Sequence, residues 1–211
     1  MRKLKVLLAA AAVAVSSSAF AQDLSFGVKA GLNLSKQAYK VGGTKVSSSD
    51  NKMLTGICIG AYADLNFSDM LALEAGLQFE QKGGKMKSGK ETEKEVINYF
   101  TIPVNLRANL PVGDNNLYFL AGPTFGIGLS GKETYEDEDG SESASAKFGN
   151  GEDDDCKRIN VGLLFGAGFE MSNNIGVRVT YDLGLSNLIP KGDSDNSVKT
   201  NVLGLAVTYK F

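Results

Sequence analysis

Histidine and tryptophan are absent from this 211-residue chain, and cysteine and proline are scarce, at two and four residues. Without histidine there is no side chain whose ordinary pKa lies near neutrality. Catalysis by an activated Ser or water then lacks its commonest base. Ser and Asp are plentiful, but no residue is assigned a catalytic role, and no metal or cofactor ligand set is found. No basic stripe supports nucleic-acid binding. Nor is any apolar run long enough, at roughly 20 residues, to cross a bilayer as a helix.

What is present begins with a secretory leader. Arg2, Lys3 and Lys5 form a basic start, Val6 to Val15 an apolar run, and Ala19-Phe20-Ala21 a small-residue cleavage site. Residues 1–21 are therefore read as a signal peptide and 22–211 as one mature domain. Losing the three leader cations moves the formal net charge from −2 to −5.

The mature chain alternates. In the closing segment, Leu203, Leu205, Val207, Tyr209 and Phe211 share one face, and Gly204, Ala206, Thr208 and Lys210 the other. A side-chain period of two marks a strand between two different environments. Such segments fall near 24–35, 53–67, 70–82, 96–110, 117–130, 158–171, 174–187 and 199–211. Short connections at Ser68-Asp69, Pro111 to Asn116 and Ser172-Asn173 alternate with longer polar ones at about 36–52, 83–95, 131–157 and 188–198. That succession of lengths predicts an eight-stranded antiparallel up-and-down transmembrane β-barrel with both termini on the short-turn, periplasmic side.

A soluble barrel would alternate too, and volume separates the two. The apolar faces carry large residues throughout, such as Leu32, Ile59, Phe79, Ile102, Phe125, Phe165 and Val179. An eight-stranded barrel has room inside only for a packed set of side chains. The opposite faces are lean, with Gly27, Gly60, Gly76, Gly122, Gly168 and Gly204 among the chain's 25 glycines. The apolar side must face outward, into outer-membrane lipid of a Gram-negative bacterium.

The lean face also carries charge. Lys29, Arg107, Arg178 and Lys210 point inward with Asp64, Glu74, Glu170 and Asp182. Buried charges are costly unless paired, so these eight are expected to form an ion-pair network closing the lumen rather than an ion path. Outward Phe26, Phe67, Phe119, Phe169, Tyr209 and Phe211 make an interfacial girdle. Pro103 and Pro123 fall within strands of a sheet with no free edge, where a bulge at each would accommodate them.

The opening Gly27-Val28-Lys29-Ala30-Gly31-Leu32-Asn33-Leu34-Ser35 is similar to the first strand of the PorT-like family of outer-membrane β-barrel proteins. Ile102-Pro103-Val104 resembles its central Ile-Pro strand, and Leu120-Ala121-Gly122-Pro123 the Ala-Gly-Pro strand that follows. Gly166-Ala167-Gly168-Phe169-Glu170, Tyr181 to Leu188 and Tyr209-Lys210-Phe211 complete the order. The resemblance implies an outer-membrane barrel, most members of the family having no assigned activity, and one branch is associated with type IX protein secretion.

Function is accordingly expected to be non-enzymatic: a monomeric barrel with a filled lumen and exposed loops serving interaction or envelope integrity. An accessory secretion barrel and a narrow passive pore are the alternatives. Tyr209 and Phe211 match the kind of C-terminal signal that barrel assembly machinery reads. The segment Gly131 to Lys157 holds ten acidic residues against three lysines. It fits no full twelve-residue calcium loop and reads as solvated, a candidate surface for an unidentified partner. Attraction to Lys85, Lys87, Lys90 and Lys94 of the neighbouring loop would fold the two over the barrel mouth. A Cys58–Cys156 disulfide requires the acidic loop to dip inward until the Cα atoms lie within about 7 Å; two free thiols are the alternative.

Overall fold

The computed structural model describes residues 24–46, 50–138, 140–149, 151 and 154–211. The expected leader at 1–21 lies outside the described residues, as do Asp139, Glu152 and Asp153 of the acidic segment. Eleven strands occur among them: β1 (Leu24–Val41), β2 (Thr44–Val46), β3 (Asn51–Lys52), β4 (Leu54–Asn66), β5 (Leu71–Ser88), β6 (Glu91–Val112), β7 (Asn115–Glu136), β8 (Ser141–Ser145), β9 (Ile159–Glu170), β10 (Ile175–Gly184) and β11 (Ser197–Lys210).

Eight of these, β1, β4, β5, β6, β7, β9, β10 and β11, follow one another around a single antiparallel sheet. The ring closes where β11 returns to β1, from Gly27 opposite Lys210 to Lys40 opposite Ser197. The remaining Phe211 N–H donates to the Phe26 carbonyl at 2.8 Å. Closure satisfies the backbone groups of the first and last strands, which lipid could not.

The inside–outside assignment follows the sequence alternation on every ring strand. Outward Leu205 is 60% exposed and Phe125 48%, whereas inward Arg107 and Glu74 are each 1% exposed. Close approach inside the ring explains two glycines. A Cβ on Gly27 would lie 2.3 Å from the Tyr62 ring, and one on Gly168 2.2 Å from that of Tyr118. Both rings lie flat over backbone that only glycine leaves bare.

Three expectations are corrected. The strands at the long-loop end run further than their apolar faces. Residues 83–95 are no loop but the upper part of a β5–β6 hairpin, paired to Ser88–Glu91 and turned at Gly89, whose φ is +60°. The long-loop attraction exists as a cross-strand pair on this shared sheet, Lys94–Glu136 at 2.8 Å, and as a pair from the hairpin turn to the residues after β7, Lys90–Glu138, not as a lid over the mouth. Neither proline makes a bulge. The β5–β6 register is the same on both sides of Pro103, with the pairs at Gly76 and Leu77 missing, and the β6–β7 register the same on both sides of Pro123. A proline lacks the N–H and the ladder skips it. Pro103 is accommodated because Gly76 opposite leaves space, a Cβ there falling 3.0 Å from its ring. The register shift lies instead at Asn98/Tyr99.

The third correction concerns Cys58 and Cys156, which are both free and buried. The acidic loop does dip inward, since Cys156 packs with Ile97, Tyr99 and Leu188. Yet Cys58 and Tyr99 flank Glu80 from opposite sides in the register, so strand β5 separates Cys58 from the Tyr99 ring against which Cys156 packs. Burial, reinforced by Glu95, raises the Cys156 thiol to about 12. Thiol counting without reductant should therefore find both cysteines after unfolding, with Cys156 slow to alkylate in the folded barrel. Recovery of no free thiol would establish a bridge instead.

Candidate functional site: a charged lumen with an acidic mouth

All eight inward charges expected from the alternation lie in the lumen, and most meet in one cluster near the short-turn end. Arg107 Nη1 donates to Asp64 Oδ2 at 2.9 Å, its Nη2 to Glu170 Oε2 at 3.0 Å, and its Nε to Asn109 Oδ1 at 2.8 Å. Arg178 forms a bidentate pair with Glu74, at 2.8 and 2.6 Å, while its Nε donates to the Tyr118 hydroxyl at 3.0 Å. Arg107 also reaches Glu74 at 3.6 Å, and Lys210 reaches Asp64 at 3.4 Å and Glu170 at 3.9 Å. Three cations thus balance three carboxylates. The Arg107 guanidinium also stacks 3.9 Å from the Tyr118 ring centre, and Gly168 leaves room for that ring. A planar fork suits this geometry as an ammonium would not.

Asp182 belongs to a second cluster that the sequence reading did not assemble. Lys82 bridges Glu80 at 2.7 Å and Asp182 at 3.0 Å. Thr124 donates to Asp182, and Asn33 to Glu80. Glu80 and Lys82 continue the inward series Glu74, Gly76, Gln78, so the period of two already contained them. They stand at the end of the apolar alternation, where the contrast between the two faces fades. Lys29 lies between the clusters beside a cavity of about 30 Å³ shared with Cys58 and Gln78. Among the described residues no carboxylate oxygen approaches its ammonium within ion-pair distance.

Above the clusters a larger cavity of about 200 Å³ opens toward the long-strand end. Glu93, Glu95, Glu133 and Asp155 face it, with Tyr39 and Leu188 among its apolar walls. Gln37 links two of its groups, donating to Glu95 and accepting from the Tyr39 hydroxyl. Burial, and then Glu133, Glu93 and Asp155, raise the Glu95 carboxyl above its ordinary value, although the Gln37 bond opposes this. Glu133 is raised by burial and by Asp155 and Glu93. Burial also takes Tyr39 to about 12. Among the described residues no group of three or more His, Cys, Asp or Glu is placed to hold a metal ion.

A ring of eight tilted strands, apolar outside and ion-paired inside, has a counterpart among known families. The model of the outer membrane protein β-barrel domain matches residues 7–211. The chain belongs to that family. Its fold is similar to that of the outer membrane protein OprG from Pseudomonas aeruginosa, at 15% identity over 90% of this chain and 97% of that one, with a TM-score of 0.50. Weaker similarity extends to Ail, the attachment invasion locus protein of Yersinia pestis (17% identity, 90% and 99% covered, TM-score 0.42). It extends also to Neisserial surface protein A (14%, 90% and 100%, TM-score 0.43). No curated protein sequence matches the chain. The barrel is thus an outer-membrane barrel, and its lumen is a pre-paired electrostatic core.

Two outcomes follow from this geometry. Arg107→Ala leaves Asp64 and Glu170 with only the more distant Lys210 as a cationic partner, and should lower unfolding stability by about 3 kcal/mol, measured by urea titration of the detergent-solubilised barrel. At the mouth, the folded pKa of Glu95 is raised, so the folded state binds more protons than the unfolded one above the ordinary glutamate value of about 4.3. Stability must then fall as pH rises from that value through the raised one. Amide exchange of residues 92–97, corrected for intrinsic rates, should show more protection at about pH 5 than at about pH 7, and Glu95→Gln should flatten the difference.

Proposed function

We propose that the protein is a non-enzymatic, monomeric envelope barrel whose lumen is electrostatically closed. Its long-strand end faces the cell exterior, with both termini in the periplasm. The observation that carries this reading is the pairing of charges across the lumen by Arg107, Arg178 and Lys82, each with carboxylates from other strands. Opening such a plug would separate buried charges from their partners. Absence of histidine from the whole chain further supports a non-catalytic role. The strands above the apolar band would then present the surface that contacts other envelope components, while Tyr209 and Phe211 serve as the signal for barrel assembly. Planar-bilayer recording of the purified protein should give no large, steady single-channel current. Such a current would replace this reading with a passive pore.

A second reading, an accessory barrel in protein secretion, is favoured by the ordered PorT-like motifs, in particular the buried Pro103 of Ile102-Pro103-Val104 packed against Gly76. A deletion strain separates the two. Secreted cargo accumulating in the periplasm supports the secretion role, and normal secretion with a fragile envelope supports the first.

A further inference from the structure

Lys82 sits against two carboxylates in a part of the lumen that water barely reaches. Its Nζ lies 2.7 Å from Glu80 Oε1 and donates to Asp182 Oδ2 at 3.0 Å. All three residues are more than nine-tenths buried. Their neighbours in the sheet are apolar: Ile97 stands opposite Lys82, Tyr99 opposite Glu80, and Leu164 and Val202 flank Asp182. Those four are buried as well. Thr124, equally buried, donates its hydroxyl to Asp182 Oδ1 at 3.1 Å. The Asn33 amide holds Glu80 by its other oxygen, Oε2, at 3.2 Å. Glu80 Oε1 accepts no aligned hydrogen bond among the described residues.

This cluster differs in kind from the arginine pairs nearer the short turns. A guanidinium stays protonated and offers no nucleophile. A lysine that gives up one proton becomes an amine with a reactive lone pair. Burying three charges is costly, and one proton moving along the Lys82–Asp182 hydrogen bond removes two of them. What results is an amine in contact with a neutral carboxylic acid. The closed ring holds both groups in place, so their encounter is a step within one molecule rather than a collision.

We propose that Lys82 and Asp182 condense in the folded barrel into an isopeptide bond, with Glu80 as the proton carrier. The Nζ lone pair attacks Asp182 Cγ, and Thr124 stabilises the negative charge that gathers on Oδ1. Glu80 Oε1 takes the proton released from Nζ and passes it to Oδ2. The Cγ–Oδ2 bond breaks, and Oδ2 leaves as water with two protons that both came from the Lys82 ammonium. A new Nζ–Cγ bond remains and Glu80 is regenerated. No electrons are gained or lost, so the step requires no oxidant or reductant. The bond joins positions 100 residues apart and ties β5 to β10, two strands that share no ladder.

The test is peptide mapping by mass spectrometry of the full-length barrel, purified from outer membranes and then heat-denatured. Trypsin does not cut at an acylated lysine. The expected product joins residues 53–85 to residues 179–191 and is lighter than their sum by one water. Separate 53–82 and 179–191 peptides from folded wild type overturn the proposal. So does a water lost within 53–85 alone, which would place the bond on Glu80. Refolding from urea into detergent supplies the kinetics, since the link should be absent from the unfolded chain and appear only after folding. Glu80→Gln, checked for folding by its heat-modified mobility, should slow that appearance on the order of a hundredfold or more. A folded Glu80→Gln barrel that links as fast as the wild type overturns the part given to Glu80. Thr124→Val, which removes only the donor to Oδ1, takes its place if that variant does not fold, and a wild-type rate there is equally adverse. Asp182→Asn should still link, now losing one ammonia in place of water, because the same attack expels the amide nitrogen. Lys82→Gln lacks the nucleophile, and any link to residues 179–191 in that variant overturns the assignment.

Discussion

The hydrogen bonds between β11 and β1 govern the rest of this structure. A sheet in hydrocarbon has no water to satisfy an unpaired edge, so it must close on itself. With eight strands the ring encloses a space only as wide as a packed layer of side chains. Every inward residue therefore competes for volume with those across the lumen. That competition explains why Tyr62 and Tyr118 lie against Gly27 and Gly168, and why the interior is built from small residues interleaved with a few long ones.

Charge inside such a ring has one stable arrangement. A carboxylate or guanidinium excluded from water is costly unless its partner is within contact distance and its remaining hydrogen-bonding capacity is used. Arg107 and Arg178 meet this demand with carboxylates, an asparagine and the Tyr118 hydroxyl. Buried ion pairs are weak evidence of net stability, since hydrophobic side chains of similar volume often do as well. Their effect here is geometric. Each guanidinium reaches carboxylates on other strands and ties together parts of the ring that share no backbone ladder.

At the mouth the same polar sheet faces two surroundings. Its inner face encloses Glu95 and Glu133 near one another, where burial and then repulsion raise both carboxyls above their ordinary value. Its outer face gathers lysines above the apolar band.

Much of this was legible in the chain because one rule acts on every spanning strand. Lipid outside and a narrow lumen inside impose a strict period of two, so Lys29, Asp64, Glu74, Arg107, Glu170, Arg178, Asp182 and Lys210 could be placed inward without coordinates. The rule loses its contrast where both faces are polar, which is why residues 83–95 read as a loop and not as paired strands. Glu80 and Lys82 sit close to that boundary and were missed. Partner choice within the lumen was beyond the pattern as well. Alternation states which way a side chain points, but strand register and barrel curvature decide what it meets across the lumen. Only the closed ring could set Asp182 against Lys82 or place Glu80 between Cys58 and Tyr99, because those neighbours are distant in sequence and adjacent only in space.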